Sequence, residues 1–435
     1  MRYLDQQTKQ ALKGKRVLVR VDYNVPVDAA DTPRPSLPAP KRVENSLETI
    51  HFLLKNDATP ILCSHRGRPK GKEERYSLKP LATILSDQYN IPCSFSPDCI
   101  GDIAYNIIQN TPLNSMVLLE NLRFYDGEKT NDATFAKQLA ELADLYVNDA
   151  FSTAHRNHAS VVGVPLYLPS YAGMSFAREV TTLTTLLEKP ERPFIVVLGG
   201  AKISDKVSAV KNLSNQADMV LIGGAVANNF LKAEGLEIYR SFIEEQQAVD
   251  SSKTTDFVAF AGQVLADHAH EKVLKDDYIP IPKLLAPIDV IAAPSAVLHK
   301  DEQDRAAPQH EVVELTHDML DKDESEDKIY VDIGPKTQQL YQSLLASAKT
   351  IFWNGPMGVW EQPEFSDGTK TIAESVAGSN GYTVIGGGDT IAAVDHFGLE
   401  NKFSYISAAG GSALAFLGGE VLPGIAALEE NTQGA

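Results

Sequence analysis

An alternation narrows the folds open to this chain more than any other feature. Short runs rich in β-branched residues recur along it: RVLVRVD, TPILCS, SMVLLE and DLYVND in the first part, then FIVVLGG, DMVLIGG, IDVIAA, KIYVDIG, TIFWNG, YTVIGGG and FSYISAAGG. Between them lie amphipathic stretches such as NDATFAKQLAELAD and GTKTIAESVAG. Strand and helix signals alternating at this length make βαβ units and parallel sheets. Eleven strands exceed one ordinary sheet, and 435 residues exceed one ordinary core. The expected fold is therefore α/β, with two parallel-sheet domains in series.

Charge divides the chain in the same way. Residues 1–172 hold 20 Lys and Arg against 19 Asp and Glu, whereas residues 173–435 hold 20 against 38. Two parts with such different balances read as two domains. A net charge of −17 argues against nucleic acid as the main partner. No apolar run approaches the roughly 20 residues that a membrane-spanning helix needs. MRYLDQQTKQ has neither an apolar stretch nor a small-residue cleavage site, so no secretory leader is expected. Three cysteines (Cys63, Cys93, Cys99) without a C-x-x-C pair suit a reducing cytoplasm better than a disulfide framework or a zinc site.

The segment AREVTTLTTLLEKPERP reads as a polar-faced helix ended by Pro190 and Pro193, suited to joining two bodies. Expected bounds are 1–176 for the first domain, 177–192 for the linker and 193–419 for the second domain. Residues 29–41, rich in proline, and the acidic 299–328 look like surface insertions.

Nearly every strand ends in residues suited to chemistry. Asp22 and Asn24 follow the first, His65, Arg66 and Arg68 the second, Asn121 and Arg123 the third, and Asp149, His155 and Arg156 the fourth. Later strands end in Gly199, Gly200 and Lys202, in Gly223 and Gly224, in Asn354 and Gly355, and in Gly386 to Asp389. Open parallel sheets bind ligands at the carboxyl ends of their strands. Each feature alone has a plain reading: a Gly-Gly is usually a turn, an arginine usually solvated, and the His155/His158 pair lacks a third metal ligand. Their co-location carries the argument. Arginines and a histidine with few glycines suit a small, highly charged acid. Glycine-rich helix starts, two lysines and Asp389 suit a nucleotide with Mg²⁺, which takes one or two carboxylates plus phosphate oxygens. This is the layout of a two-substrate phosphotransferase. VLGGAKISDK serves as its phosphate grip, although the chain has no G-x-x-x-x-G-K-[ST] and no complete G-x-G-x-x-G.

The motifs RVDYNVP, SHRGRPKG, YSLKPLA, LLENLRF, VNDAFSTAHRNHAS, LGGAKISDK, DIGPKT, WNGPMGVWE and GGGDT, in this order, resemble the phosphoglycerate kinase family. The likeness runs from about residue 15 to LPGI near residue 425. It implies two Rossmann-like domains joined by an interdomain helix and hinge, with a tail from about 420 to 435 packing back on the first. It also implies reversible phosphoryl transfer from 1,3-bisphosphoglycerate to Mg-ADP in glycolysis, and the family's usual monomeric state. By motif, Asp22, Asn24, Arg42, His65, Arg68, Arg123 and Arg156 would bind phosphoglycerate. Gly200, Lys202, Lys206, Gly224, Gly334, Asn354, Glu361, Gly387, Gly388, Asp389 and Thr390 would bind the nucleotide, with Asp389 on the magnesium. Arg42, Lys202, Gly388 and Gly411 hold the catalytic positions. The attacking ADP oxygen is already anionic and the leaving group is a carboxylate. The residues must therefore stabilise charge on the phosphoryl oxygens rather than supply a strong base.

The chain departs from the family pattern at Ala408, Ala409 and Ala415 near the end, and at Ser152, Arg66 and Ala225, which stand where the family has other residues. The three alanines leave open an alternative, a binding or regulatory paralogue with impaired domain closure. A nucleotide-dependent oxidoreductase is a weaker rival, since the dinucleotide fingerprint is absent.

Overall fold

A computed structural model of the protein describes residues 1–5, 8–25, 41–112, 114–250, 253–275, 279–298, 309–316 and 327–433. The proline-rich 29–41, apart from Lys41, lies outside the described residues, as does most of the acidic 299–328. Contacts divide the chain into two compact units, Met1–Thr181 with Val421–Ala435, and Thr182–Glu420.

The first unit is built on six strands: β1 (Arg16–Arg20), β2 (Thr59–Cys63), β3 (Cys93–Ser96), β4 (Met116–Leu119), β5 (Leu145–Asn148) and β6 (Ser170–Ala172). They pair in the order β3-β4-β2-β1-β5-β6, all parallel. The central strands are buried along almost their whole length, which is why they read as near-continuous apolar runs. Val17, Val19, Leu62, Leu118 and Val147 pack under Val43, Ile50 and Leu53 of the helix Lys41–Lys55, and under Leu81 and Leu85 of Lys79–Tyr89. β3 and β6 were not expected, because CSFS and SYA are short and partly polar.

The helix Met174–Glu188 begins at the end of this sheet and runs across the division between the units. Its first turn is capped from outside: Asp149 Oδ1 accepts from the backbone N–H of Ser175 at 2.9 Å and of Phe176 at 3.2 Å. The terminal helix Pro423–Gln433 is fixed within the first unit by Asn431. Its amide donates to the carbonyls of Pro165 at 2.7 Å and Leu168 at 3.0 Å and accepts from Ser170 N–H at 2.8 Å.

The second unit carries β7 (Phe194–Leu198), β8 (Met219–Ile222), the hairpin β9 (Gln246–Asp250) and β10 (Lys253–Asp256), and the hairpin β11 (Lys272–Lys275) and β12 (Ile279–Pro282). It continues with β13 (Leu284–Leu285), β14 (Asp289–Ala293), β15 (Glu311–Glu314), β16 (Ile329–Ile333), β17 (Thr350–Asn354), β18 (Tyr382–Gly386) and β19 (Tyr405–Ser407). Six of these form a second parallel sheet, β13-β8-β7-β17-β18-β19. IDVIAA and KIYVDIG are strands but not part of it. β14 and β16 pair antiparallel to each other, and β15 pairs antiparallel on the far side of β14. A parallel pair needs a packed crossover; the described part of the acidic stretch contributes β15 instead.

Val197, Leu221, Trp353 and Ile385 form the floor of this core beneath Tyr341, Leu344, Ile372 and Val394. The Tyr341 hydroxyl lies 2.8 Å from Ile222 O and 2.7 Å from Leu285 O, tying the ends of β8 and β13 to the helix Pro335–Leu345. All three cysteines are free. Among the described residues no helix is long and apolar enough to cross a membrane.

Asp289, fully buried at the start of β14, caps that same helix. Its Oδ1 accepts from Thr337 N–H and Thr337 Oγ1–H, both at 2.7 Å, and its Oδ2 from Lys336 N–H at 2.9 Å. Asp289→Ala strands two helix-start amides in the interior and should lower the stability of the second unit by about 2 kcal/mol. Urea unfolding measures this; an unchanged midpoint would mean that water replaces the carboxylate without loss.

Candidate functional site

In the first unit, β4, β2, β1 and β5 are consecutive neighbours, so the residues following them meet along one sheet edge. Asp22 and Asn24 leave β1. The Asp22 Oδ2 atom forms an ion pair with Arg42 Nη1 and accepts from Ser152 Oγ at 2.6 Å, while its Oδ1 accepts from Asn24 N–H at 3.1 Å. Asn24 Oδ1 accepts from Gly67 N–H at 2.9 Å, and the Arg123 guanidinium donates to Gly67 O. The buried Asn121 side chain holds the two turns together by accepting from Arg66 N–H at 3.2 Å and Arg123 N–H at 3.0 Å. The expected residues Asp22, Asn24, Arg42 and Arg123 are thus joined directly or through one intermediate.

Beneath them lies a group that the sequence reading missed. Arg20, completely buried on β1, donates from Nε to Ser160 Oγ at 3.0 Å and has Nη2 3.0 Å from His65 Nδ1. Ser160 Oγ donates to Glu128 Oε1 at 2.7 Å and Ser160 N–H to Glu128 Oε2 at 2.9 Å. Glu128 is fully buried too. Burial pushes its carboxyl upward, but His158, Arg20 and Ser160 outweigh that and hold it below its ordinary range. A charged residue inside an apolar strand is the signal that could have pointed to Arg20.

These cations press on one another. Burial first, then Arg156 and Arg20, lower the Arg123 guanidinium to about 10. Arg156 is lowered by burial, Arg20 and Arg68, with Asp22 acting the other way. His65 is held well below its ordinary value by burial, then by Arg20, Arg123, Arg156 and His158. Arg68 is exposed and enters this cluster through charge. Such a cup favours a multiply charged anion, which relieves the mutual repulsion. Arg66, by contrast, is buried, with Nη1 donating to Ser77 O at 3.1 Å.

In the second unit two cavities share Gly200, Ala201 and Asp389 in their walls and adjoin as the two compartments of a channel. The first is lined by Gly224, Ala225, Asn228, Tyr330, Asp332 and Glu361, among others. The second gathers Lys202, Lys206, Asn354, Gly387, Gly388, Thr390 and Gly411. Every expected nucleotide residue therefore lines the channel except Gly334. That glycine donates its amide to Asp289 O at 2.8 Å and sits directly after Ile333 of the wall.

The channel floor is backbone against backbone. Gly199 N–H donates to Asn354 O at 2.9 Å, Gly200 N–H to Pro356 O at 2.7 Å, and Gly224 N–H to Met357 O at 2.9 Å. Gly355 has φ +94°, and a Cβ there would lie 2.2 Å from Gly199 O, so only glycine fits. Thr390 Oγ1 accepts from Gly355 N–H at 2.6 Å, whereas the buried Asn354 Nδ2 has no partner. The helix Gly388–His396 opens toward this space, and its start favours negative charge. Lys206 is buried, and desolvation lowers its ammonium even though Asp205, Asp389 and Glu244 raise it. Among the described residues no three His, Cys, Asp or Glu converge as a metal cage. Asp389 is exposed on the channel and has the chemistry of a single carboxylate for a cation held mainly by phosphate oxygens.

A family model described as phosphoglycerate kinase matches residues 7–420. The phosphoglycerate kinase of Dictyoglomus turgidum is 43% identical over 420 residues, covering 96% of each chain. That of Thermomicrobium roseum is 42% identical over 420 residues, covering 96% of this chain and 97% of its own. Among solved structures, phosphoglycerate kinase from Coxiella burnetii matches with a TM-score of 0.76 at 34% identity, covering 96% of this chain and 97% of that one. The Pyrococcus horikoshii enzyme matches with a TM-score of 0.78 at 27% identity over the whole of both chains.

The channel wall holds one unusual acid. Burial raises the Asp332 carboxyl to about 8, against the N–H groups of Gly368 and Ile333 that act to lower it. An acid whose pKa is raised in the folded state stabilises the fold while both states are protonated, and that contribution is lost as pH climbs toward the folded value. Stability of the second unit should therefore fall between roughly pH 4 and 8 on this account, and Asp332→Asn should flatten the decline. Urea midpoints at pH 5 and pH 8 test this; an identical slope in the variant would remove Asp332 as its source.

Proposed function

The chain belongs to the phosphoglycerate kinase family, and we propose that it performs the family's reaction with the cup of the first unit and the channel of the second. The reaction is reversible phosphoryl transfer from 1,3-bisphosphoglycerate to ADP, giving 3-phosphoglycerate and ATP in glycolysis. The observation that carries this reading is the pairing of a cationic cup with a glycine-floored channel, one in each unit of a single family-length chain. No finding favours the non-catalytic paralogue, although Ala408, Ala409 and Ala415 are all present.

Arg68, Arg123 and Arg156 take up the anionic groups of phosphoglycerate, and Asp22 and Asn24 orient its hydroxyl and carboxyl end. Arg42 sits at the start of its helix with its guanidinium on Asp22, and turns its charge to the transferring phosphoryl group. Lys202, exposed on the channel, approaches the same group, while Lys206 and the amides at Gly387 and Gly388 hold the nucleotide phosphates. Gly224 and Glu361 line the adenosine end. Magnesium, when bound, would be held by Asp389 and phosphate oxygens, and would supply charge neutralisation for the phosphoryl oxygens. Because the two substrates belong to different units, transfer needs the units to close and exclude water. We further assign the protein to the cytoplasm as a monomer, with no nucleic acid or membrane partner.

A coupled assay with purified protein, ADP, Mg²⁺ and 1,3-bisphosphoglycerate tests the function; nucleotide binding without turnover would favour the paralogue. Arg42→Ala should reduce kcat by roughly 100- to 1,000-fold while nucleotide affinity holds, the loss typical of one transition-state donor. Equal loss of both would contradict its role. Asp389→Ala should weaken Mg-nucleotide binding as well as turnover, and titration of Mg-ADP by calorimetry reads this directly.

A further inference from the structure

We propose that Arg20 is a positioning residue: through a one-way chain of hydrogen bonds it fixes His65 as the neutral tautomer protonated on Nε2, aimed as a donor at an oxygen of the phosphoglycerate. The polarity of that chain follows from its chemistry. The Glu128 carboxylate accepts hydrogen bonds and, when ionised, gives none. Ser160 has one hydroxyl proton, which it donates to Glu128 Oε1 at 2.7 Å. Its oxygen therefore receives Arg20 Nε–H, 3.0 Å away. Arginine has only donors, so the 3.0 Å contact between Nη2 and His65 Nδ1 requires an unprotonated Nδ1. A neutral imidazole with a bare Nδ1 carries its proton on Nε2.

That Nε2–H is buried and has no partner. A buried polar group left unsatisfied in the unliganded fold is expected where a ligand completes the bond. Arg20 itself cannot swing away easily, since Nη1 also donates to Val21 O and the whole side chain is enclosed. Protonating His65 on Nδ1 would set one donor against another. The groups that face the ring, Arg20 from β1, Arg123 from the turn after β4, and Arg156 and His158 from the loop after β5, are cationic or can become so. His65 thus supplies a hydrogen bond without a charge, in a cup whose charge comes from arginines. Its donor strength stays constant across the pH range in which a free histidine titrates.

The inference rests on the phosphoglycerate reading only for the identity of the ligand, because the tautomer is a property of the free protein. Histidine-¹⁵N-labelled protein, with His65 assigned by His65→Gln, is examined by long-range ¹H–¹⁵N correlation from pH 5 to 8. The expected result is an unprotonated Nδ1 and a protonated Nε2 throughout, with 3-phosphoglycerate shifting Nε2–H and Mg-ADP leaving it in place. A ring that titrates near its ordinary value, or carries its proton on Nδ1, overturns the inference whether or not the enzyme turns over. Absence of turnover with the stated tautomer overturns the functional reading alone. Arg20→Met should release the ring to titrate and raise KM for 3-phosphoglycerate about tenfold, the scale of one charge-assisted hydrogen bond, with KM for ATP unchanged. Arg20→Lys should recover part of both effects. An Arg20→Met protein with unchanged His65 signals and unchanged KM also overturns the inference, and if that variant fails to fold the wild-type spectrum decides.

Discussion

The approach of three glycine turns at the carboxyl end of the second sheet is the constraint on which the nucleotide channel depends. Gly199, Gly224 and Gly355 let the ends of β7, β8 and β17 bond to one another through backbone groups alone. A Cβ on Gly224 would lie 2.6 Å from Gly200 N, and φ there is +59°. With the turns locked in this way, Lys202, Lys206 and the start of the helix Gly388–His396 converge on a space lined by main chain. A phosphate chain needs such close approach, which side chains would block.

The first unit solves the opposite problem. It concentrates positive charge and must keep that charge from unfolding the edge that carries it. Asp22 and Glu128 answer from two depths, one half-buried beneath Arg42 and one fully buried behind Arg20 and Ser160. A buried carboxylate of this kind is favourable only when its hydrogen bonds are complete, and Glu128 has partners on both oxygens. The near balance of charge in residues 1–172 conceals this local excess, since a count of charges carries no positions.

Much of this was legible in the sequence, because buried parallel strands are written as apolar runs and their chemistry lies at their ends. All eleven expected runs are strands. Of those not expected, β3, β6 and β13 are short, β9 to β12 form two antiparallel pairs outside the parallel sheets, and β15 lies among acidic residues that carry no strand pattern. Pairing direction was the harder property: IDVIAA looks the same whether its neighbours run with it or against it, and only the intervening chain decides. The charged residues at the sheet edge could be read from their positions, whereas Arg20 left only the signal of a charge inside an apolar strand and Glu128 left none. The place of Arg20 within RVLVRVD does not reveal that it is linked to another buried charge 108 positions further on. Gly334 shows the converse limit, since its motif placed it in the nucleotide wall while its packing role is against Asp289.

The anchoring of Asn431 has a consequence for the order in which the protein can be assembled. The helix that closes the first unit follows the entire second unit in the chain, so the second unit is synthesised before it. The sheet begun by Arg16 therefore waits through synthesis of the whole second unit before Pro165, Leu168 and Ser170 meet their partner. Of the two units, the one started first is completed second, so a chain cut before Val421 would carry a finished second unit and an unsealed first one.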